Sequence, residues 1–238
     1  MSAPAAIEDA LALLYRRAGV PRPHEQVPGR DPPIVPLDAL LCEQPILCDE
    51  LPRLTRGRAM EYLRRRTGAD LPLLPHPDEP LAGFLYAFPY EGEVWACLLV
   101  QQGDIIERRR FSAAHELGHY LLHFLPLLQR ELQRGQHLFL SEGFSFTESL
   151  DVDEALPGAA GLCAQDIRGT ALDALQAGLP RLEAEANRFA AELLMPESVC
   201  RALWERPRGL RTSRRLAQEL LVSPAAMRVR LNTLGYVS

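Results

Sequence analysis

Near the N-terminus, apolar residues recur at helical spacing. Ile7, Ala10, Leu11 and Leu14 fall on one face of a helix expected over about residues 5–18. Glu8 and Asp9 interrupt the apolar run, so this reads as an amphipathic helix rather than a signal peptide. Gly19 and the proline-rich stretch from Pro21 to Pro36 break the period and predict a loop. Short helices are expected at 37–42 and 56–66, followed by a Pro- and Asp-rich loop over 72–80. From Leu81 the period changes to two. Gly83–Pro89 and Val94–Gln101 are rich in aromatic and branched residues, with the turn Tyr90-Glu91-Gly92-Glu93 between them. Gln102-Gly103-Asp104 forms a second turn before Ile105 and Ile106. The prediction is a small antiparallel sheet feeding directly into a helix that begins near Phe111. An edge strand of that sheet would offer an extended peptide a place to add on.

Between about 124 and 180 the periodicity weakens. A short apolar piece (Leu138–Leu140), an acidic polar stretch (Ser141–Glu154) and a Gly/Ala/Pro segment read together as an insertion. A strong helix follows from about Arg181 to Met195 and is stopped by Pro196. Residues 213–236 predict two further short helices, and there is no internal repeat. The fold class is therefore α+β and mostly helical. The expected organisation is an N-terminal helix and loop region (1–80), a core (81–200) carrying the 124–180 insertion, and a C-terminal segment (201–238) with helix-turn-helix character.

Composition narrows the function classes. The chain has 238 residues, 47% of them hydrophobic and 24% charged, as in an ordinary soluble globular protein. A net charge of −5 argues against a protein that coats nucleic acid non-specifically. The cluster Arg56, Arg58, Arg64, Arg65 and Arg66 reads as a solvated helix face. No apolar run approaches the roughly 20 residues that span a bilayer. Cys42, Cys48, Cys97, Cys163 and Cys200 are scattered and odd in number, which suits buried thiols in a reducing compartment. The expected location is the cytoplasm.

The candidate chemistry lies in His115-Glu116-Leu117-Gly118-His119, an HExxH motif. Phe111 to Phe124 contains no proline, and Ala114, Leu117 and Leu121 recur at helical spacing. Residues four apart on a helix share a face, so both imidazoles can reach one ion, and neutral imidazole is a good zinc ligand. Glu116 beside that face is placed to act on a water as general base without ligating the metal. The flanking residues make this a buried helix, where three polar residues in five need partners. The 181–195 helix offers the missing acid. Its apolar stripe is Leu182, Ala186, Phe189, Ala190, Leu193 and Leu194, with small Ala186 and Ala190 permitting close approach. Glu185 borders the stripe and is expected as third ligand to Zn2+, with Glu183 next. Glu183 faces Asn187 and the Pro180 end and reads as solvated, while Glu192 is expected to pair with Arg188. A metzincin would carry its third histidine where Leu125 stands, so that pattern fails. His123 is expected near the site or in the core. His24, His76 and His137 carry no spacing signal.

Arg110-Phe111-Ser112-Ala113-Ala114-His115-Glu116-Leu117-Gly118-His119-Tyr120-Leu121-Leu122-His123, taken with Glu183-Ala184-Glu185-Ala186-Asn187-Arg188-Phe189-Ala190-Ala191-Glu192-Leu193-Leu194-Met195-Pro196, resembles the ImmA/IrrE family of bacterial metallopeptidases. The resemblance covers roughly 81–123 and 181–236. It implies a gluzincin-like zinc peptidase fold with the glutamate before Ala-Asn as third ligand, here Glu185. It also implies a protein substrate, a helix-turn-helix transcriptional repressor cut at one site, in a stress-response, mobile-element or toxin–antitoxin setting. The stretch between His119 and Glu185 is longer than is usual in that family.

Two other readings compete. Leu216-Ala217-Gln218-Glu219-Leu220, the turn Leu221-Val222-Ser223 and the segment Pro224 to Leu234, with Arg228 and Arg230, have helix-turn-helix spacing and suit a DNA-binding regulator. The acidic chain offers few phosphate contacts, so packing of these helices on the peptidase core is preferred. The third reading is a metal-binding scaffold without catalysis.

Overall fold

The computed structural model describes residues 3–23, 34–68, 76–133, 144–149, 163–164, 178–205 and 211–237. The fold is mixed α+β and mostly helical, with one small sheet. The first helix, α1 (Ala3–Ala18), buries Ile7, Leu11 and Leu14. Helix α2 (Leu37–Cys42), strand β1 (Ile46–Leu51) and helix α3 (Arg56–Thr67) follow. The hairpin strands β2 (Leu81–Tyr90) and β3 (Glu93–Gln101) then lead into helix α4 (Ile106–His119).

Alternation along β2 and β3 explains how the sheet is covered on both faces. Leu85, Ala87, Val94, Ala96, Leu98 and Val100 point to the larger core, shared with α1, α2, α4 and the C-terminal helices. Phe84, Tyr86, Phe88, Cys97 and Leu99 point to the other side and pack on Leu54, Ala59, Met60 and Leu63 in and before α3. A strand buried on both faces reads as a continuous apolar run, as β2 does.

The sheet is wider than the sequence predicted. Strand β4 (Phe144–Ser149) pairs antiparallel with β2, and β5 (Cys163–Ala164) pairs with β4. On the other side β1 pairs parallel with β3, giving the order β1-β3-β2-β4-β5. Both hairpin strands are therefore interior. This corrects the expectation that the 83–101 hairpin offers an edge, because β1 and β4 occupy its two flanks. Strand β1 escapes local reading: two of its six residues are acidic, and its conformation comes from a non-local partner. Residues 134–143, 150–162 and 165–177 of the 124–180 insertion, Leu138–Leu140 among them, lie outside the described residues.

Helix α4 starts at Ile106, five residues earlier than expected. Ile105 is extended at its N-cap, and both isoleucines are exposed rather than part of a strand. After His119 the helix widens into one π turn (Tyr120–Phe124) and then continues as α5 (Leu125–Gln133). The Tyr120 hydroxyl donates to the Val94 carbonyl at 2.7 Å, tying this turn to the sheet. Helices α6 (Leu179–Leu194), α7 (Glu197–Trp204), α8 (Ser213–Leu220) and α9 (Pro224–Thr233) complete the described chain. Thr212 and Ser223 cap α8 and α9 by accepting from the Arg215 and Ala226 backbone amides. Among the arginines of α3, Arg56 is not solvated: it is buried and paired with Glu79 at 3.1 Å.

Helices α4 and α6 approach closely at Gly118. A Cβ there would stand 3.0 Å from Phe189 Cδ1 and 3.2 Å from Ala186 Cα. Gly118→Val should therefore force the helices apart and cost about 1–3 kcal/mol, read from urea unfolding. Gly103→Ala, where a Cβ meets only an ordinary contact at 3.9 Å, is the control. An unchanged midpoint for Gly118→Val would contradict the close approach.

Candidate metal centre

Three successive turns of one helix and its π extension present His115, His119 and His123 to α6, and all three are buried. A regular α-helix would advance about 40° over four residues. The π turn alters that advance, and His123 Nδ1 comes to lie 3.1 Å from His119 Nδ1. The His115 and His119 Nε2 atoms face each other at 3.0 Å. Glu183 on α6 places Oε2 3.5 Å from His115 Nε2 and Oε1 3.5 Å from His119 Nε2. These three residues form a group able to hold a metal ion.

Glu185 was expected to complete the trio, with Glu183 next; in the structure it is Glu183 whose carboxylate lies beside His115 and His119. On a helix at 100° per residue, Glu183 and Glu185 lie on opposite borders of the buried Ala186–Phe189–Ala190 stripe. Both carboxylates border apolar surface, so that criterion does not separate them. The rotation of α6 against α4 does, and it turns Glu183 toward His115 and His119. Glu185 faces His123 instead, with Oε2 at 3.2 Å from Nε2, and it accepts from Arg181 Nε at 2.8 Å. Glu192 accepts from Arg188 at 2.8 Å, as the spacing predicted.

One residue at the site was not anticipated. Asn187 Oδ1 lies 2.9 Å from His115 Nδ1. An amide oxygen only accepts, so His115 carries its proton on Nδ1 and turns the Nε2 lone pair toward Glu183 and His119. The available signal was the pairing of Glu183 with Asn187 one turn later, which puts two polar groups on one border of α6.

Glu116 is wholly buried, with its side chain lying over Gly83 of β2. A Cβ at 83 would stand 2.6 Å from Glu116 Oε1 and 3.1 Å from its Cγ, so only glycine leaves room for this carboxylate. His76, the remaining described histidine, is not among the residues of this group. His24 and His137 lie outside the described residues.

The donor set fits a zinc ion. Three ligand atoms held at about 2.0–2.1 Å in a tetrahedral arrangement stand roughly 3.3 Å from one another, close to the separations found. Burial, with the nearby His115 and His123, holds the His119 pKa well below its ordinary value, leaving a neutral imidazole. Burial likewise pushes His123 down to about 4 despite the Glu185 contact. Burial raises the Glu185 carboxyl, but the Arg181 and His123 hydrogen bonds outweigh it and the net shift is downward. Tyr120, whose hydroxyl is engaged by Val94, is turned away from the site, and its pKa is raised by burial.

A buried pair of imidazoles closed by a carboxylate makes this group a candidate metal centre. Residues 163–232 match the family model Peptidase_M78, described as the IrrE N-terminal-like domain, the family of the ImmA/IrrE metallopeptidases. The matched stretch contains Glu183, Asn187 and the C-terminal helices, while His115, Glu116 and His119 precede it. The match supports a metallopeptidase and hence a protein substrate. A search of curated proteins finds no match.

The two depressed histidines make a stability prediction. Above pH 6.5 the folded and unfolded chains both hold neutral imidazoles and nothing changes. Below 6.5 the unfolded chain takes up protons that the fold refuses, so stability falls until the folded pKa is reached, about 4 for His123. The metal-free protein should thus unfold at lower urea at pH 5.5 than at pH 7, losing up to about 1.4 kcal/mol per pH unit for His123 alone. His123→Phe should flatten the slope. Equal midpoints at the two pH values would contradict these environments.

Proposed function

We propose that this chain is a zinc-dependent metalloendopeptidase that makes site-specific cuts in a protein substrate. The substrate class we assign is a helix-turn-helix transcriptional repressor, in a stress-response, mobile-element or toxin–antitoxin setting. The cytoplasm is the compartment this reading requires, since such a repressor resides there. The observation that carries the reading is the convergence of His115 Nε2, His119 Nε2 and Glu183 beside a wholly buried Glu116.

In this reading His115, His119 and Glu183 hold the metal. A zinc ion held by such a set supplies Lewis-acid chemistry, polarising a scissile carbonyl and making water more acidic. Glu116 takes the proton from the attacking water and delivers it to the leaving amine. Gly83 leaves Glu116 its place, and Asn187 fixes the orientation of His115. Burial of Glu116 excludes bulk water from the proton it carries.

The DNA-binding alternative gains no support from the C-terminal helices. Of the two arginines it relies on, Arg230 is buried and its Nε donates to the Met195 carbonyl at 3.0 Å. That bond fastens α9 to the end of α6 rather than leaving a cation for a phosphate.

Metal content and cleavage test the reading together. By elemental mass spectrometry the purified protein should carry about one zinc per chain. Glu183→Ala should lose it, while Glu185→Ala and Glu116→Gln should still take it up when zinc is supplied in excess. Comparison of protein N-termini in cells making the wild type or Glu116→Gln should show new termini with the wild type alone. Absence of zinc after supplementation, or identical termini in both strains, would overturn the proposal.

A further inference from the structure

His123 and Glu185 are the part of this cluster that the metal-ligand roles leave unexplained. His123 is buried, and neither of its ring nitrogens is within the His115–His119–Glu183 group. Its Nδ1 lies 3.1 Å from His119 Nδ1, and its Nε2 lies 3.2 Å from Glu185 Oε2. Glu185 Oε1 in turn accepts from Arg181 Nε. The four residues form one continuous chain running from the inner face of His119 to the solvent-exposed Arg181.

The direction of every bond in this chain follows from its two ends. At the outer end Glu185 is paired with the Arg181 guanidinium, and its carboxylate oxygens only accept. His123 Nε2 must therefore carry a hydrogen and donate it. A neutral imidazole has one N–H, so His123 Nδ1 is left as a lone pair. That lone pair accepts from His119 Nδ1–H, and His119 Nε2 is then free of hydrogen. At the inner end, Nε2 is the nitrogen that faces His115 Nε2 and Glu183. The tautomer dictated from the Glu185 end is thus the one that metal ligation requires.

We propose that His123 and Glu185 are positioning residues for His119: Glu185, acting through His123, fixes which nitrogen of His119 faces the metal and holds its ring in place. This rests on the reading of His115, His119 and Glu183 as ligands. The arrangement extends the usual carboxylate–histidine–metal support by one imidazole. Helix α6 then serves both ligating histidines, His115 through Asn187 on one border and His119 through Glu185 and His123 on the other. Glu185 holds the support directly and the metal only at second hand.

The test is the zinc-loaded protein labelled with 15N at histidine. Long-range proton–nitrogen correlation should show His119 protonated on Nδ1 and His123 protonated on Nε2. His123→Phe and Glu185→Ala should each bind zinc about 10–100-fold more weakly in competition with a chromophoric chelator, with stoichiometry unchanged at saturation. With cobalt in place of zinc, their visible absorption bands should shift, which a purely structural role for these side chains would not cause. Glu185→Gln, whose amide oxygen accepts the same hydrogen bond, should recover most of the affinity lost in Glu185→Ala. A His123 protonated on Nδ1 would overturn the proposal, as would wild-type zinc affinity and cobalt spectra in both deletion variants. Those outcomes leave the ligand set standing. A wild type that takes up no zinc removes the ligand set and this proposal with it. The tautomer measurement needs only the wild type, so it decides the matter even if His123→Phe does not fold.

Discussion

The site depends on how closely α4 and α6 pack. Short polar groups on two helices meet around one point only when the backbones come near each other. Gly118 on α4 and Ala186 on α6 remove the side chains that would keep them apart. At that distance Glu183 spans His115 and His119, Asn187 reaches His115, and Glu185 reaches His123. The same contact buries Phe189 and Ala190 beside Leu117, so the apolar stripe that stabilises the pair also aims its polar borders. A shift of one helix against the other would break all these polar contacts at once.

Much of this was legible in the sequence because its causes are local. The helix periods of α1, α2, α3, α6, α8 and α9 lie in the placement of their apolar residues. The β2–β3 hairpin lies in its alternation around Glu91-Gly92. His115, Glu116 and His119 were legible as a trio because helical spacing fixes their mutual geometry wherever the helix packs. The choice between Glu183 and Glu185 was not. Each borders the apolar stripe, and which border meets the histidines depends on the rotation of α6 against a helix far away in sequence. Strand β1 and the widening of the sheet by β4 and β5 were hidden for the same reason, since their pairing partners are distant.

The sheet contributes to the site as well as to the core. Gly83 sits on β2, the strand flanked by β3 and β4, and it gives Glu116 a wall of backbone instead of a side chain. The hydroxyl of Tyr120, bonded to Val94, anchors the π turn that carries His123. Position in the sheet and position on the helix are thus set by separate contacts that converge on the same carboxylate and imidazoles.

Which carboxylate joins the two imidazoles decides the chemistry of the site. Crystals of the zinc-loaded protein, measured on both sides of the zinc absorption edge, locate the ion directly through its anomalous signal. The peak should lie about 2.0–2.1 Å from His115 Nε2, His119 Nε2 and a Glu183 oxygen, with Glu185 still on His123. A peak ligated by Glu185, or no peak near these histidines, would contradict that ligand set.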